Sequence, residues 1–410
     1  MSASVLLWVG VLLIAVGLTM SNPVVVVPGM LVLLVVLVAR LWTNDSLKKS
    51  ISCKVSLLQK SARPGDVVDA HFEVKNDQPF PIPWLECSLE WPEELGCDSH
   101  TLAAHHQVNR AVLRNIFSLR WFERVTRKFR VRCDTRGEFW FGPVDMTIYD
   151  PFGFLEANTE VNTRERLVIY PKSVPVRATG PMTKSPFGEK PKRSWVFDDP
   201  SQFRGAREYT QSDPFSRIEW NSTARTGKLH TKLLDASFAA ETAIVLDIST
   251  GEQPWDGVIR DVFERTILVC ASLVRSTYLS GRRFGLFTNG YTRGSNTPAA
   301  ARTGSGREQY TACMQVLGRI IAVRGFRARA VLAVTAKKVS EYAEIVLVTA
   351  NLTKSLVQEI ERQRVMGRAI SVVLTEECAL SSRLRVPTYI VGEKGTWSSL
   401  EQITLRKARA

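Results

Sequence analysis

Five short apolar runs in the second half of the chain constrain its fold more than any other feature: Ala243–Asp247, Phe284–Thr288, Ile345–Thr349, Ile370–Leu374 and Thr388–Val391. Each has the length of a strand and is apolar at consecutive positions, as strands covered on both faces of a sheet are. Helical patterns lie between them. In Val258–Leu279, the residues Ile259, Val262, Ile267, Cys270, Leu273 and Val274 fall near helical spacing. Tyr310–Ile321 and Leu356–Val365 are further helices. This alternation predicts a doubly wound parallel sheet. In such sheets ligands bind beyond the carboxyl ends of the strands, where the strand order reverses. Asp247 ends the first run and Ser249 follows it, so a site is to be sought there.

Upstream the period changes. From about Lys54 to Tyr170 the pattern is β. Arg63-Pro64-Gly65-Asp66 is a turn signal, and Val68, Ala70, Phe72 and Val74 then alternate with polar positions. Phe129 and Val131 share a face in Thr126–Val131. Arg136-Gly137, Phe141-Gly142-Pro143 and Asp150-Pro151-Phe152-Gly153 punctuate further strands. Short strands between such turns predict an antiparallel sandwich, with a barrel as the alternative. Residues 171–200, rich in Pro, Lys and Ser, read as a linker.

The chain opens on two uncharged apolar runs, Val5–Met20 and Val24–Ala39, separated by Ser21-Asn22-Pro23. Each is about 24 Å long as a helix, slightly short of an apolar layer of about 30 Å, and Trp8 and Trp42 stand where interfacial anchors would extend them. They predict a transmembrane hairpin. A cleaved signal peptide followed by one anchor is the alternative, disfavoured because no Lys or Arg precedes the first run. Arg40, Lys48, Lys49 and Lys54 follow the second run. That bias places the soluble domains on the cytoplasmic side of a bacterial inner membrane, as parts of a multi-pass protein. The expected domains are 1–43, the hairpin; 44–170, the sandwich; 171–240, a linker with a charged motif; and 241–410, the α/β domain.

The seven cysteines are scattered without a C-x-x-C pair, which fits free thiols. The net charge of +14 predicts attraction to anionic surfaces, with the lipid bilayer the simplest of them. Nothing resembles a zinc-finger spacing, an RNP-like strand or a sustained basic helix, so no nucleic acid is expected. Catalytic templates are missing as well. The five histidines include none after His230, and neither a G-x-S-x-G elbow nor a phosphate loop occurs.

One segment before the α/β domain is dense in charge and aromatics: Arg207-Glu-Tyr-Thr-Gln-Ser-Asp213-Pro-Phe-Ser-Arg217-Ile-Glu-Trp220-Asn-Ser-Thr-Ala-Arg225. Asp213 reads as a helix N-cap, Pro214 as the first helical residue and Gly227 as the stop. Trp220 is expected to be buried. Arg207, Arg217 and Arg225 bracket Asp213 and Glu219, either as an ion-pair and capping network or as a partner- or phosphate-binding surface.

The arrangement R-x-Y-x-x-x-D-x-x-x-x-I-x-W-x-x-x-A-R, running from Arg207 through Tyr209, Asp213, Ile218, Trp220 and Ala224 to Arg225, resembles the bacterial "domain of unknown function 58" membrane protein family. So does the order of an apolar hairpin, a β-rich region and a strand ending L-D-I-S. The resemblance implies a C-terminal domain like those of von Willebrand factor A type. It also implies association with AAA+ ATPases of the MoxR type and with transglutaminase-like membrane proteins. In von Willebrand factor A-type domains a strand ending D-x-S-x-S opens a site for a hard divalent cation such as Mg²⁺ or Mn²⁺. Here Asp247 and Ser249 match, Gly251 replaces the second Ser, and Asn351 stands where a later strand supplies an acid. A single carboxylate among neutral oxygens predicts weak metal binding. The resulting expectation is a membrane-anchored, non-enzymatic interaction protein working with a MoxR-type ATPase. The alternatives are a divalent-metal-dependent receptor acting through a degenerate site and a hydrolase of unrecognised type.

Overall fold

The structure is a computed structural model. It describes all residues except 1–2, 21, 43–49, 99–101, 105–109, 150–155, 180–197, 211–214, 216–217, 237–240, 252–256, 324, 393–399 and 409–410. The chain divides into two compact units, Met1–Lys172 and Ser173–Ala410.

The first unit opens with two helices, α1 (Ala3–Thr19) and α2 (Pro23–Trp42). They pack closely because glycines face branched side chains. A Cβ at Gly17 would meet Val26 at 2.6 Å, and one at Gly29 would meet Ile14 at 2.7 Å. At about 1.5 Å per residue, α1 rises only about 25 Å. The charge-free part of α2 contains Pro28 and stops before Arg40. Among the described residues no helix is long and apolar enough to cross a membrane. This corrects the expected transmembrane hairpin. It also corrects the multi-pass placement in a bacterial inner membrane and the cytoplasmic orientation inferred from the flanking basic residues.

The rest of this unit is sheet. Its strands are β1 (Ile51–Leu57), β2 (Ser61–Ala62), β3 (Val67–Asn76), β4 (Ile82–Pro92), β5 (Gly96–Cys97) and β6 (Ala103–Ala104). They continue with β7 (Arg110–Leu119), β8 (Arg124–Arg132), β9 (Gly137–Phe141), β10 (Val144–Tyr149), β11 (Glu156–Val161) and β12 (Glu165–Ile169). Three sheets result, ordered β1-β3-β8-β5, β11-β10-β4-β7-β6 and β2-β12-β9. Alternation drives the arrangement. Every second residue of β3, namely Val68, Ala70, Phe72 and Val74, enters a core shared with Leu85, Cys87, Leu89 and Trp91 of β4. Trp91 satisfies its indole N–H on Leu95 O at 2.8 Å and meets Phe141 edge-on at 4.9 Å. At one end of these strands, buried Asn76 donates through Nδ2 to Phe80 O and Arg120 O, both at 2.8 Å. One side chain thereby fastens the β3–β4 connection to the β7–β8 turn.

The second unit holds β13 (Val176–Thr179), β14 (Asp198–Glu208), α3 (Trp220–Thr226), β15 (His230–Ala236), β16 (Glu241–Leu246), α4 (Arg260–Leu279), β17 (Arg283–Thr288) and β18 (Ala300–Gly304). It ends with α5 (Gly306–Arg319), α6 (Ala328–Lys338), β19 (Glu344–Thr349), α7 (Lys354–Val365), β20 (Ile370–Leu374), β21 (Thr388–Val391) and β22 (Ile403–Lys407). The main sheet is eight-stranded, in the order β13-β22-β21-β20-β19-β16-β17-β18. Strands β16, β17, β19, β20 and β21 run parallel to their neighbours among themselves, but β18 and β22 pair antiparallel with β17 and β21. The expectation of a purely parallel sheet is therefore corrected to a mixed one. The antiparallel strands leave no strand signal in the sequence because neither has a continuous apolar run: β18 is Ala-Ala-Arg-Thr-Gly and β22 is Ile-Thr-Leu-Arg-Lys. Within residues 171–240, β14 and β15 form a separate two-stranded ribbon.

Candidate functional site

The strand order steps outward in both directions from β16, to β19 on one side and β17 on the other. The residues just beyond these three strands converge on Asp247. The Asp247 carboxyl is 2% exposed. Its Oδ1 accepts from Ser249 N at 3.0 Å and from Asn289 Nδ2 at 2.7 Å, and its Oδ2 lies 2.9 Å from Thr349 Oγ1. All three groups are neutral. Burial pushes the Asp247 carboxyl above the usual carboxylate range, and the hydrogen bonds from Ser249, Thr349 and Asn289 oppose that rise.

Asn289 sets the polarity of this cluster. Its Oδ1 accepts Ile248 N–H at 2.9 Å, so its Nδ2 must face the carboxyl. The same amide nitrogen reaches Ser249 Oγ at 3.2 Å and Phe326 O at 3.1 Å. Thr349 adds a second constraint. Its hydroxyl accepts Asn351 N–H at 3.1 Å and lies 2.8 Å from Asn351 O, but it has one proton to share between that carbonyl and Asp247.

These contacts define what the cluster can do. A hard cation needs several oxygens turned toward one point. Here N–H and O–H donors are turned toward the Asp247 carboxyl, and the contacts of Asn351 to Thr349 run through its main chain. As arranged, Asp247, Ser249 and Asn351 do not fit Mg²⁺ or Mn²⁺. Among the described residues no group of three or more His, Cys, Asp or Glu is placed to hold a metal. The cluster is a hydrogen-bonded clip joining the ends of β16, β17 and β19.

The charged motif is organised differently from its sequence expectation. Arg207, next to last in β14, donates through Nη1 to Glu208 O at 3.2 Å and to Thr210 Oγ1 at 3.5 Å. Tyr209 stacks obliquely on Phe215 at 5.6 Å. Ile218 is buried and bridges to Thr231. Asp213 and Arg217 lie outside the described residues. The described helix spans Trp220–Thr226 and stops at Gly227 in the left-handed conformation, φ 70°, while the expected start at Asp213-Pro214 lies outside the described residues. Glu219 pairs with Lys232 at 3.4 Å. Arg225 stands exposed in the last helical turn. Trp220 is 67% exposed, which corrects the expectation that it is buried, and Phe215 is 73% exposed. Apolar character at helical spacing was a poor guide here because the helix has only seven residues and buries none of them.

Asn289 also holds the segment before α6. Phe326 N donates back to Asn289 O at 3.0 Å, and Gly325 is required because a Cβ there would collide with that same oxygen. The only sequence signal was the Gly325-Phe326 pair ahead of a helix.

Part of the chain is similar to known proteins. The Bacillus subtilis (strain 168) protein YeaD, itself described as uncharacterized, is 24% identical over 238 residues, covering 55% of this chain and 52% of that protein. The chain thus spans about half the length of this curated relative. Among solved structures, the CARDB domain of a Pyrococcus furiosus protein, solved in complex with di-metal ions, is 11% identical, covers 29% of this chain and 91% of its own, and has a TM-score of 0.20. A cohesin module from a Clostridium perfringens family 33 glycoside hydrolase is 7% identical, covers 28% of this chain and 96% of its own, and has a TM-score of 0.21. Scores this low carry no argument about fold or function. Residues 205–380, which take in the Tyr209–Arg225 motif and the Asp247 clip, match the family described as "Protein of unknown function DUF58".

Proposed function

We propose that this chain is a non-enzymatic docking protein that works with an AAA+ ATPase of the MoxR type. The observation that carries this reading is Trp220, 67% exposed within the stretch that matches the DUF58 family. A large aromatic side chain on the surface is a costly choice unless something covers it, and Trp is prominent among the residues that dominate binding energy at interfaces. Its base is fixed: Glu219 N donates to His230 O at 2.8 Å, and Thr223 Oγ1 accepts from His230 N at 3.0 Å. The anchor is therefore presented with little conformational freedom to lose on binding. The family resemblance supplies the class of partner, and adds a transglutaminase-like protein as a second one. A von Willebrand factor A-like reading of the α/β domain accords with a binding role that needs no cation, since the Asp247 clip is closed by neutral donors.

The test is binding of the full-length protein to a MoxR-type ATPase from the same cell. Trp220→Ala should weaken binding by about thirtyfold, the scale of a hot-spot residue. The melting temperature should stay unchanged, because exposed positions contribute little to stability. Equal affinity for the ATPase in the variant and the parent would sink the proposal.

A further inference from the structure

We propose that the carboxyl-end face of the eight-stranded sheet carries, beside β17, a docking patch for an acidic protein segment, built from Arg293 and Arg327 around the Tyr291–Phe326 ring pair. Charge is the first observation. Residues 289–330 contain seven arginines, no lysine and a single acid, Glu308. Arginine presents a planar fork that matches a carboxylate with two hydrogen bonds, which lysine cannot do.

The second observation is that the backbone gathers this charge. Ile321 N donates to Tyr291 O at 3.1 Å, and Thr292 bridges antiparallel to Ile320. Phe326 is held from both sides by Asn289, through Phe326 N to Asn289 O at 3.0 Å and Asn289 Nδ2 to Phe326 O at 3.1 Å. The residues after β17 and those before α6 are thereby drawn together. Arg293 and Arg327 are both exposed, and neither makes an ion pair among the described residues.

The third observation is apolar. Tyr291 and Phe326 lie with ring centroids 5.3 Å apart, Phe326 is 40% exposed and neighbouring Val323 is 54% exposed. Arginine, tyrosine and phenylalanine together are the composition of the buried centre of an interface. A single-stranded nucleic acid would favour a track of aromatic platforms along a basic groove. One ring pair with an aliphatic neighbour, on segments that also carry two exposed arginines, suits a carboxylate-rich peptide carrying an apolar residue. The patch does not depend on Trp220 or on the identity of the ATPase, so the two proposals fail separately.

The probe is a fluorescein-labelled glutamate-rich peptide with one central leucine, titrated with the full chain at low salt and followed by anisotropy. Arg293→Ala/Arg327→Ala should weaken binding by about tenfold, the combined worth of two partly solvated ion pairs. Phe326→Ala should weaken it without changing its dependence on salt. Arg130→Ala, on a sheet face of the other unit, should leave it within twofold. Binding that survives the double substitution, or that Arg130→Ala weakens equally, would reduce the patch to general positive charge and overturn the proposal. Tighter binding of a single-stranded oligonucleotide than of the peptide, abolished by the same double substitution, would overturn it in favour of nucleic acid.

Discussion

Replacing Asp247 by asparagine and by alanine separates a neutral clip from a charged site. Alanine removes the acceptor shared by three donors, Ser249 N, Asn289 Nδ2 and Thr349 Oγ1, in a region closed to solvent. An abandoned buried donor costs about 1–3 kcal/mol; Thr349 can turn its proton to Asn351 O and Asn289 Nδ2 keeps Ser249 Oγ and Phe326 O, so Ser249 N is left stranded and the loss should be about 2 kcal/mol. For a unit of this size that lowers the melting temperature by about 4–8 °C. Asparagine keeps the network: its Oδ1 can accept from Ser249 and Asn289, and its Nδ2 can donate to Thr349 Oγ1, which then donates to Asn351 O. Asp247→Asn should therefore stay within about 1 kcal/mol of the parent. The pH dependence gives the sign. Burial raises the folded-state pKa of Asp247, so the folded chain holds this proton more tightly than the unfolded chain. The contribution to stability is complete below the ordinary carboxylate pKa and is lost as pH rises toward the raised value. The melting temperature of Asp247→Asn, relative to the parent, should rise from acid to neutral pH. Calorimetry across that range measures it. If asparagine proves as damaging as alanine at neutral pH, the ionised carboxylate is required and the neutral clip is wrong.

Two further predictions concern the first unit and the thiols. Asn76→Ala removes both hydrogen bonds that join the β3–β4 connection to the β7–β8 turn, and should cost about 2–3 kcal/mol, read as a shift in the urea midpoint. An unchanged midpoint would mean that the loops hold each other without it. Burial pushes the thiols of Cys53 and Cys313 up to about 12 and that of Cys133 up to about 11, with Cys87 and Cys270 raised further. The native protein at pH 8 should therefore react with a thiol reagent only at Cys97 and Cys378, which are partly exposed, and at all seven cysteines after unfolding. Rapid native labelling of Cys87 would contradict the core described for the sheets.

Elements whose residues obey one period were legible in the sequence. Ile370–Leu374 and Thr388–Val391 are strands over the same residues that their apolar runs mark, and the alternation of Val68, Ala70, Phe72 and Val74 gives their burial directly. Helix Ala328–Lys338 was not legible. Its four alanines, single arginine and two lysines lack a clear apolar stripe, and only Val331, Leu332, Thr335 and Ala336 are buried. The apolar runs at the start show the opposite failure. Hydropathy marks a helix that avoids water, but crossing a membrane also requires length, and the helix of Ala3–Thr19 is too short. Asp247 and Ser249 were found by their place at a strand end. The roles of Asn289 and Thr349 were not, because an amide's orientation is fixed by where Ile248 N–H points, a fact of three dimensions.

The pairing of β13 with β22 sets the order in which the second unit can be finished. Val176–Thr179 lies in parallel register with Ile403–Arg406, and β22 is also what separates β13 from β21. A strand made near the start of the unit thus has to wait for one made near its end. At about 5–20 residues per second of synthesis, that interval is roughly 10–45 s. Throughout it the sheet has an open margin at β21 and the early strand has no place to go. Closure of this unit waits on the synthesis of β22, and a ribosome stalled before Ile403 holds a domain that is structurally unfinished whatever its other strands have done.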